Sequence, residues 1–320
     1  MFAARFEKTG PAQDVFILDQ VDTPEPSEGQ VRVKINLSGV NPTDYKGRSG
    51  VVPRTFDGFQ IPHNDGSGVI DAVGAGVDSQ RIGERVWIML AANGNRFGTA
   101  AEYCVVDSQL ARPLPDSASF ELGATLGVPA VTAAYCLFSD EPIAGQTVLV
   151  HGGAGAVGRV AIELAVWAGA RVIATVSSES KAQTASDAGA QIVVNYTDSD
   201  AIAQLSGHGI SRVIEVNLAA NLELDLAISQ PGMKIVCYAA DGPDPVLPRR
   251  ALMTACATLE FMLLYNVESD KLRESVSMVE EALAQGALTM PPHKLLPLSQ
   301  IAAAHDLVEA GSAQRVLLQV

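Results

Sequence analysis

A glycine-rich turn at the junction of a strand and a helix restricts the fold of this chain more than any other stretch. Val148-Leu149-Val150-His151-Gly152-Gly153-Ala154-Gly155-Ala156-Val157-Gly158 carries G-x-G-x-x-G at Gly153, Gly155 and Gly158. Residues 147–150 read as a buried strand, and Val157, Val160, Ala161, Leu164 and Ala168 then fall at helical spacing. In that setting glycines allow a tight turn and let the backbone approach a pyrophosphate, whose charge faces the positive end of the helix. Taken alone, the pattern also fits a flexible turn. The sequence beyond it favours the nucleotide reading. Residues 171–176, 191–196, 212–216 and 234–238 are short apolar runs spaced for crossover helices, and 259–264 is a sixth run. Such alternation implies a parallel sheet covered on both faces, a doubly wound α/β domain.

The end of the second strand bears on which dinucleotide is bound. An acid there hydrogen-bonds the ribose 2′-hydroxyl of NAD, whereas hydroxyls and a cation suit the extra phosphate of NADP. Here Ala174-Thr175-Val176 runs into Ser177-Ser178-Glu179-Ser180-Lys181. The tip carries no acid, Ser177 offers a hydroxyl and Lys181 a charge, so NADPH is expected. Glu179 argues the other way, and Lys181 also fits a solvated helix surface.

The chain has 320 residues, a length that suggests two domains. Its first third reads as β-rich: Val31, Val33, Ile35 and Leu37 alternate with Arg32, Lys34 and Asn36, and 68–73, 85–90 and 101–106 are further strand-like runs. Asn41-Pro42 has the form of a helix start. Beyond the β/α series, 270–285 and 299–310 have helical character and 315–320 reads as a strand. Lys and Arg number 22 against 36 Asp and Glu, a formal charge of −14. That balance argues against a nucleic acid or an anionic membrane as partner. The stretch 122–139 is broken by Gly123, Gly127 and Pro129 and reads as a buried segment rather than a membrane span. Cys104, Cys136, Cys237 and Cys256 form no CxxC pair, and the first residues lack an apolar signal core. A cytoplasmic protein with reduced thiols is expected.

Several spaced motifs then agree in order. Gly39-Val-Asn41-Pro42-Thr-Asp44-Tyr45-Lys46-Gly-Arg48-Ser49-Gly50, Asp65-Gly66-Ser-Gly68, Gly98-Thr-Ala-Ala-Glu102-Tyr103 and Gly127-Val-Pro129-Ala-Val-Thr132-Ala-Ala-Tyr135, with the dinucleotide loop after them, resemble the zinc-independent quinone oxidoreductases, the zeta-crystallin type of medium-chain dehydrogenase/reductase. The resemblance spans essentially the whole chain. It implies a GroES-like β-rich catalytic domain over 1–121, a Rossmann NADPH-binding domain over 122–265, and a return segment, 266–320, completing the first. The cofactor would lie in the cleft between domains. Zinc-dependent relatives carry a metal-binding Cys where this chain has Asn41, Gly-His-Glu where it has His63-Asn64-Asp65, and a third ligand near Val128. No tetrahedral set remains, so no metal is expected.

Without a Lewis acid, the acceptor must take hydride readily. Quinones do, because the charge delocalises over an aromatic ring; alkenes conjugated to a carbonyl do, because an enolate forms. The protein then has to orient the nicotinamide, exclude water and stabilise an oxyanion. The resemblance implies Asn41 and Tyr45 as catalytic residues. Asn41 would lie by the nicotinamide ribose, although it also suits a helix N-cap. Tyr45 would donate a proton, although many relatives carry the tyrosine one position later, at Lys46. It also implies Thr132 by the nicotinamide, backbone of Ala156 and Val157 at the pyrophosphate, and Ser177, Lys181 and Tyr196 around the 2′-phosphate. Asn217, Ala239, Ala240, Phe261 and Leu263 would line the remaining cofactor surface. The leading expectation is an NADPH-dependent quinone oxidoreductase assembling as a homodimer or homotetramer. Enone, 2-alkenal or enoyl-thioester reduction and a noncatalytic NADPH-binding role are the alternatives.

Overall fold

A computed structural model describes residues 1–53, 57–240 and 242–320. Two compact units are present: Met1–Val128 with Met290–Val320, and Pro129–Thr289. In the first unit β1 (Phe2–Arg5) and β2 (Ile17–Gln20) form a small antiparallel sheet. They are followed by β3 (Gln30–Val40), β4 (Asp65–Val73), β5 (Arg85–Ile88), β6 (Tyr103–Asp107) and β7 (Ala111–Pro113). The second unit contributes β8 (Thr147–His151), β9 (Arg171–Val176), β10 (Ile192–Asn195), β11 (Ile210–Glu215), β12 (Lys234–Cys237) and β13 (Thr258–Phe261). β14 (His293–Pro297) and β15 (Arg315–Gln319) then return to the first.

The larger sheet of the first unit runs β14-β15-β3-β4-β5-β7, with β6 also on β3. Its organiser is β3, where Val31, Val33, Ile35 and Leu37 are buried while Lys34 and Asn36 are exposed. The alternation ends at Ser38, and Ser38, Gly39 and Val40 are all buried. There β15 pairs antiparallel with β3, Val316 opposite Val40 and Gln319 opposite Leu37. Cys104, Val106, Ile70, Val86 and Ile88 close on the same core.

The second unit is a six-stranded sheet in the order β10-β9-β8-β11-β12-β13, every pairing parallel. The first strand of the series lies in the middle, so the order reverses between β8 and β11 and leaves a crevice at the carboxyl ends of those strands. Leu149, Ile173, Val213 and Ile235 carry the core across four strands with essentially no exposure. Each such side chain contributes about 2 kcal/mol by leaving water. The helices Ala156–Trp167, Glu179–Asp187, Ala201–Leu205 and Leu218–Ala227 supply crossovers. No helix of the described residues is long and apolar enough to cross a membrane.

The unit boundaries differ from the expected 121/122 and 265/266. The helix Ser269–Ala284 buries Val276, Val279, Ala282 and Leu283 within the second unit. Arg159, on the helix after the glycine loop, donates to the Thr289 carbonyl at 3.0 Å and to its hydroxyl at 2.7 Å. Trp167 donates to Gln285 at 2.8 Å. These bonds hold 266–289 against the nucleotide sheet, and only 290–320 returns.

Candidate functional site

The dinucleotide loop takes its shape from backbone that side chains would obstruct. Gly152 turns the chain at φ +66°, in the left-handed region. The Gly153 N–H donates to the Thr175 carbonyl at 2.9 Å and that of Gly155 to Gly152 at 2.8 Å. A Cβ at Gly158 would collide with the Gly152 carbonyl oxygen, so this glycine lets the helix start against the turn. Gly155 is the N-cap of the helix Ala156–Trp167 and makes no side-chain cap bond. The first N–H groups of that helix have no acceptor within it and suit an anion. Ala156 and Val157 are half-buried here and Gly155 is exposed. A pyrophosphate fits this cradle.

The other nucleotide-side candidates gather at the carboxyl ends of the strands. Lys181 Nζ donates to Ser177 Oγ at 3.0 Å, just beyond β9. Ser178 caps the next helix by accepting from the Lys181 N–H at 3.4 Å, and Glu179 is exposed in its first turn. Tyr196 follows β10, its N–H bonded to the Val176 carbonyl at 3.0 Å and its side chain exposed. A hydroxyl, an ammonium and a phenol thus lie at adjoining strand ends. Asn217 follows β11 and caps the helix Leu218–Ala227, while Ala239 and Ala240 follow β12. Phe261 ends β13, and Phe261 and Leu263 are 62% and 53% exposed. Thr132 lies elsewhere, buried on the helix Gly127–Phe138.

In the first unit the candidate centre is a buried polar knot. Asn41 stands at the N-cap of the helix Pro42–Ser49, and its backbone N–H donates to Asp44 Oδ2 at 2.7 Å. Its carboxamide also reaches two other elements. Nδ2 donates to Asp65 Oδ2 at 2.7 Å, and Oδ1 accepts from Arg315 Nη2 at 3.1 Å. The second Asp65 oxygen accepts the Val128 N–H at 2.7 Å, and Gly127 leaves no room for a Cβ against this carboxylate. Burial raises the Asp65 pKa from 3.8 to about 6, against the opposing pull of Asn41, Arg315 and the Val128 amide. Tyr45 is half-buried one turn into the same helix.

Asn41, Asp65 and Val128, which stand at or beside the positions of the metal ligands in zinc-dependent relatives, are therefore joined to one another. Both carboxylate oxygens are committed, no thiolate is present, and a guanidinium bonds the carboxamide. This set does not suit zinc. His63 is not a spare ligand either: Nδ1 meets Ser38 Oγ at 2.8 Å and Nε2 meets His305 Nε2 at 2.9 Å. Complete burial pushes its pKa down to about 3, the state of a neutral core histidine.

Two sets of residues escape a reading of the sequence. Asp65 and Arg315 hold Asn41 from positions 24 and 274 residues away, and local pattern carries no sign of such partners. The second set lies under the glycine loop. His151 Nδ1 is 2.7 Å from Thr175 Oγ1, its Nε2 donates to Asp225 Oδ1 at 2.8 Å and lies 3.6 Å from Glu215 Oε2. Glu215 Oε1 accepts from the Asn217 N–H and, at 2.9 Å, from Asn221 Nδ2. The signal that could have found this set is chemical: His151 is an ionisable residue that closes β8 directly after three buried apolar residues, Val148, Leu149 and Val150.

Comparison with known proteins gives two family-model matches: an alcohol dehydrogenase GroES-like domain over residues 27–116 and a zinc-binding dehydrogenase over 156–281. The second match contains none of positions 41, 65 and 128. A quinone oxidoreductase of Lama guanicoe is 30% identical over 325 residues, covering 99% of this chain and 97% of its own. Among solved structures, a mycobacterial quinone oxidoreductase is 29% identical with a TM-score of 0.87, and a mycobacterial protein complexed with NADPH is 28% identical with a TM-score of 0.83. Both alignments cover each chain completely.

Proposed function

Because the chain belongs to the quinone oxidoreductase family of medium-chain dehydrogenases/reductases, we propose that it reduces quinones with NADPH and without zinc. The observation that carries the cofactor reading is the Lys181 ammonium held on Ser177 beside Tyr196, at the strand ends where a 2′-phosphate sits in this fold. The loop amides of Ala156 and Val157 take the pyrophosphate. Asn217, Ala239, Ala240, Phe261, Leu263 and Thr132 line the rest of the cofactor.

When bound, the cofactor supplies a hydride; with one proton from the protein or solvent, a quinone becomes the hydroquinone and NADPH becomes NADP⁺. The chain's own task is to orient and to move that proton. A carboxamide can make four hydrogen bonds, and Asn41 uses one donor and one acceptor on Asp65 and Arg315. Fixed at both ends, it is suited to align the nicotinamide ribose and the acceptor carbonyl. Tyr45 supplies the proton. The family relationship and the four free cysteines support a cytoplasmic setting. The exposed edge strand β13 supports a homodimer built by pairing that edge with its copy.

The test is oxidation of NADPH and of NADH in the presence of benzoquinone, phenanthrenequinone, 2-alkenals and enoyl thioesters. We expect quinone turnover with a clear preference for NADPH. Turnover confined to the alkenes removes the quinone assignment, and tight NADPH binding with no turnover indicates a noncatalytic role.

A further inference from the structure

The strand order reverses between β8 and β11, and the last residues of those strands are His151 and Glu215. Both are buried, as are Thr175 and Asp225, which complete the group. An ion cluster in a dry core costs more than it returns unless it is well paired, and an apolar set of similar volume is often as stable or more so. Its place in the fold suggests what else it does. The imidazole meets the Thr175 side chain, and the Thr175 carbonyl receives the Gly153 N–H at 2.9 Å. On its other side it faces Glu215, which receives the Asn217 N–H. A polar path thus runs from the glycine loop through Thr175 and His151 to Glu215, this last step an ion-pair contact at 3.6 Å rather than a hydrogen bond, and on to the start of the helix Leu218–Ala227.

We propose that His151, held between Asp225 and Glu215, is a positioning residue for the dinucleotide: its ring ties the carboxyl ends of β8 and β11 together and presets the 153–158 loop and Asn217 for the cofactor. The proposal rests on the cofactor reading above. Burial alone would disfavour a charged ring, yet the bond to Asp225 and the charges of Asp225 and Glu215 outweigh it, so the imidazolium is favoured. That form donates from both nitrogens, matching acceptors on opposite sides. The three side chains have ligand atoms within 4.8 Å of one another. Both ring nitrogens, however, are engaged, Nδ1 with Thr175 and the Nε2 proton with Asp225, so the group reads as an ion cluster rather than a metal centre.

The experiment compares the unaltered protein with Asp225→Asn and His151→Gln, measuring NADPH affinity by calorimetry and steady-state turnover with a quinone. We expect the dissociation constant and the KM for NADPH to rise about tenfold or more, the scale of a lost bond to a charged group, with kcat at saturating NADPH within about twofold. Lower thermal stability with unchanged affinity marks the cluster as merely structural and overturns the proposal. If the variants do not fold, imidazole ¹⁵N resonances of the unaltered protein decide. A doubly protonated His151 whose signals move on NADPH binding supports the role, and a ring insensitive to NADPH overturns it. Failure of the unaltered protein to bind NADPH removes the underlying reading and this proposal with it; normal binding by both variants removes this proposal alone.

Discussion

The Asp65 carboxylate holds the Asn41 amide on one oxygen and the Val128 N–H on the other, so protonation of either oxygen weakens the bond that oxygen accepts. Because its folded pKa, about 6, lies above the ordinary 3.8, Asp65 contributes stability below pH 4 that is lost as pH rises through 6. Its effect on catalysis has the opposite sign, since the ionised form holds both donors more strongly. We therefore expect kcat/KM to fall on acidification below about pH 6, while this group's share of stability grows. Asp65→Asn, which can accept from one donor but presents an amide to the other, should lower kcat/KM about tenfold and flatten the pH dependence of thermal unfolding between pH 4 and 6. An unchanged slope in that variant assigns the titration elsewhere. Asn41 itself is legible in the sequence, because a helix start and a family motif coincide there. Arg315 is not: its role depends on β15 lying beside β3, a long-range pairing that no local periodicity encodes.

At the level of elements, sequence and structure agree where a pattern has one physical cause. The alternation of β3 and the apolar runs of β8, β9, β11 and β12 each reflect burial of one face or both, and they are visible in a few residues. The glycine loop is legible for the same reason, since its spacing follows from a turn, a close approach and a helix start. Gly158→Ala tests that approach. The added methyl meets backbone, the Gly152 carbonyl, rather than a side chain that can move aside. Overpacking of this kind costs about 1–3 kcal/mol, and here the displacement falls on the loop amides. Thermal melting should drop, and NADPH affinity by calorimetry should fall by more than the stability loss alone accounts for; wild-type affinity would show that the loop tolerates the shift. The group around His151 is invisible at this scale, because Thr175, Glu215 and Asp225 come from three elements and nothing in their own segments marks them as partners.

Across the whole molecule, the exposed rim of β13 is the feature with the largest consequence for assembly. Its other edge is paired with β12, and Phe261, 62% exposed, ends the strand to which a second copy would add its own. Phe261→Lys places like charges close together in such a pair and removes apolar contact. Light scattering after size-exclusion chromatography should report a dimer for the unaltered protein and a monomer for the variant; an unchanged mass moves the interface away from this edge. The expected domain limits were less legible than the strands, because the helix Ser269–Ala284 shows only that it has an apolar face, not which unit receives it. The position of β15 also sets an order of events during synthesis. The nucleotide unit is one continuous stretch, so it can fold as soon as it leaves the ribosome, whereas the first unit must keep β3 open until residues 315–319 emerge. Arg315 is the first residue of that late strand, so Asn41 acquires its second anchor only after the whole nucleotide unit has been made, and the proposed hydride-handling centre becomes competent later than the unit that would bind the cofactor.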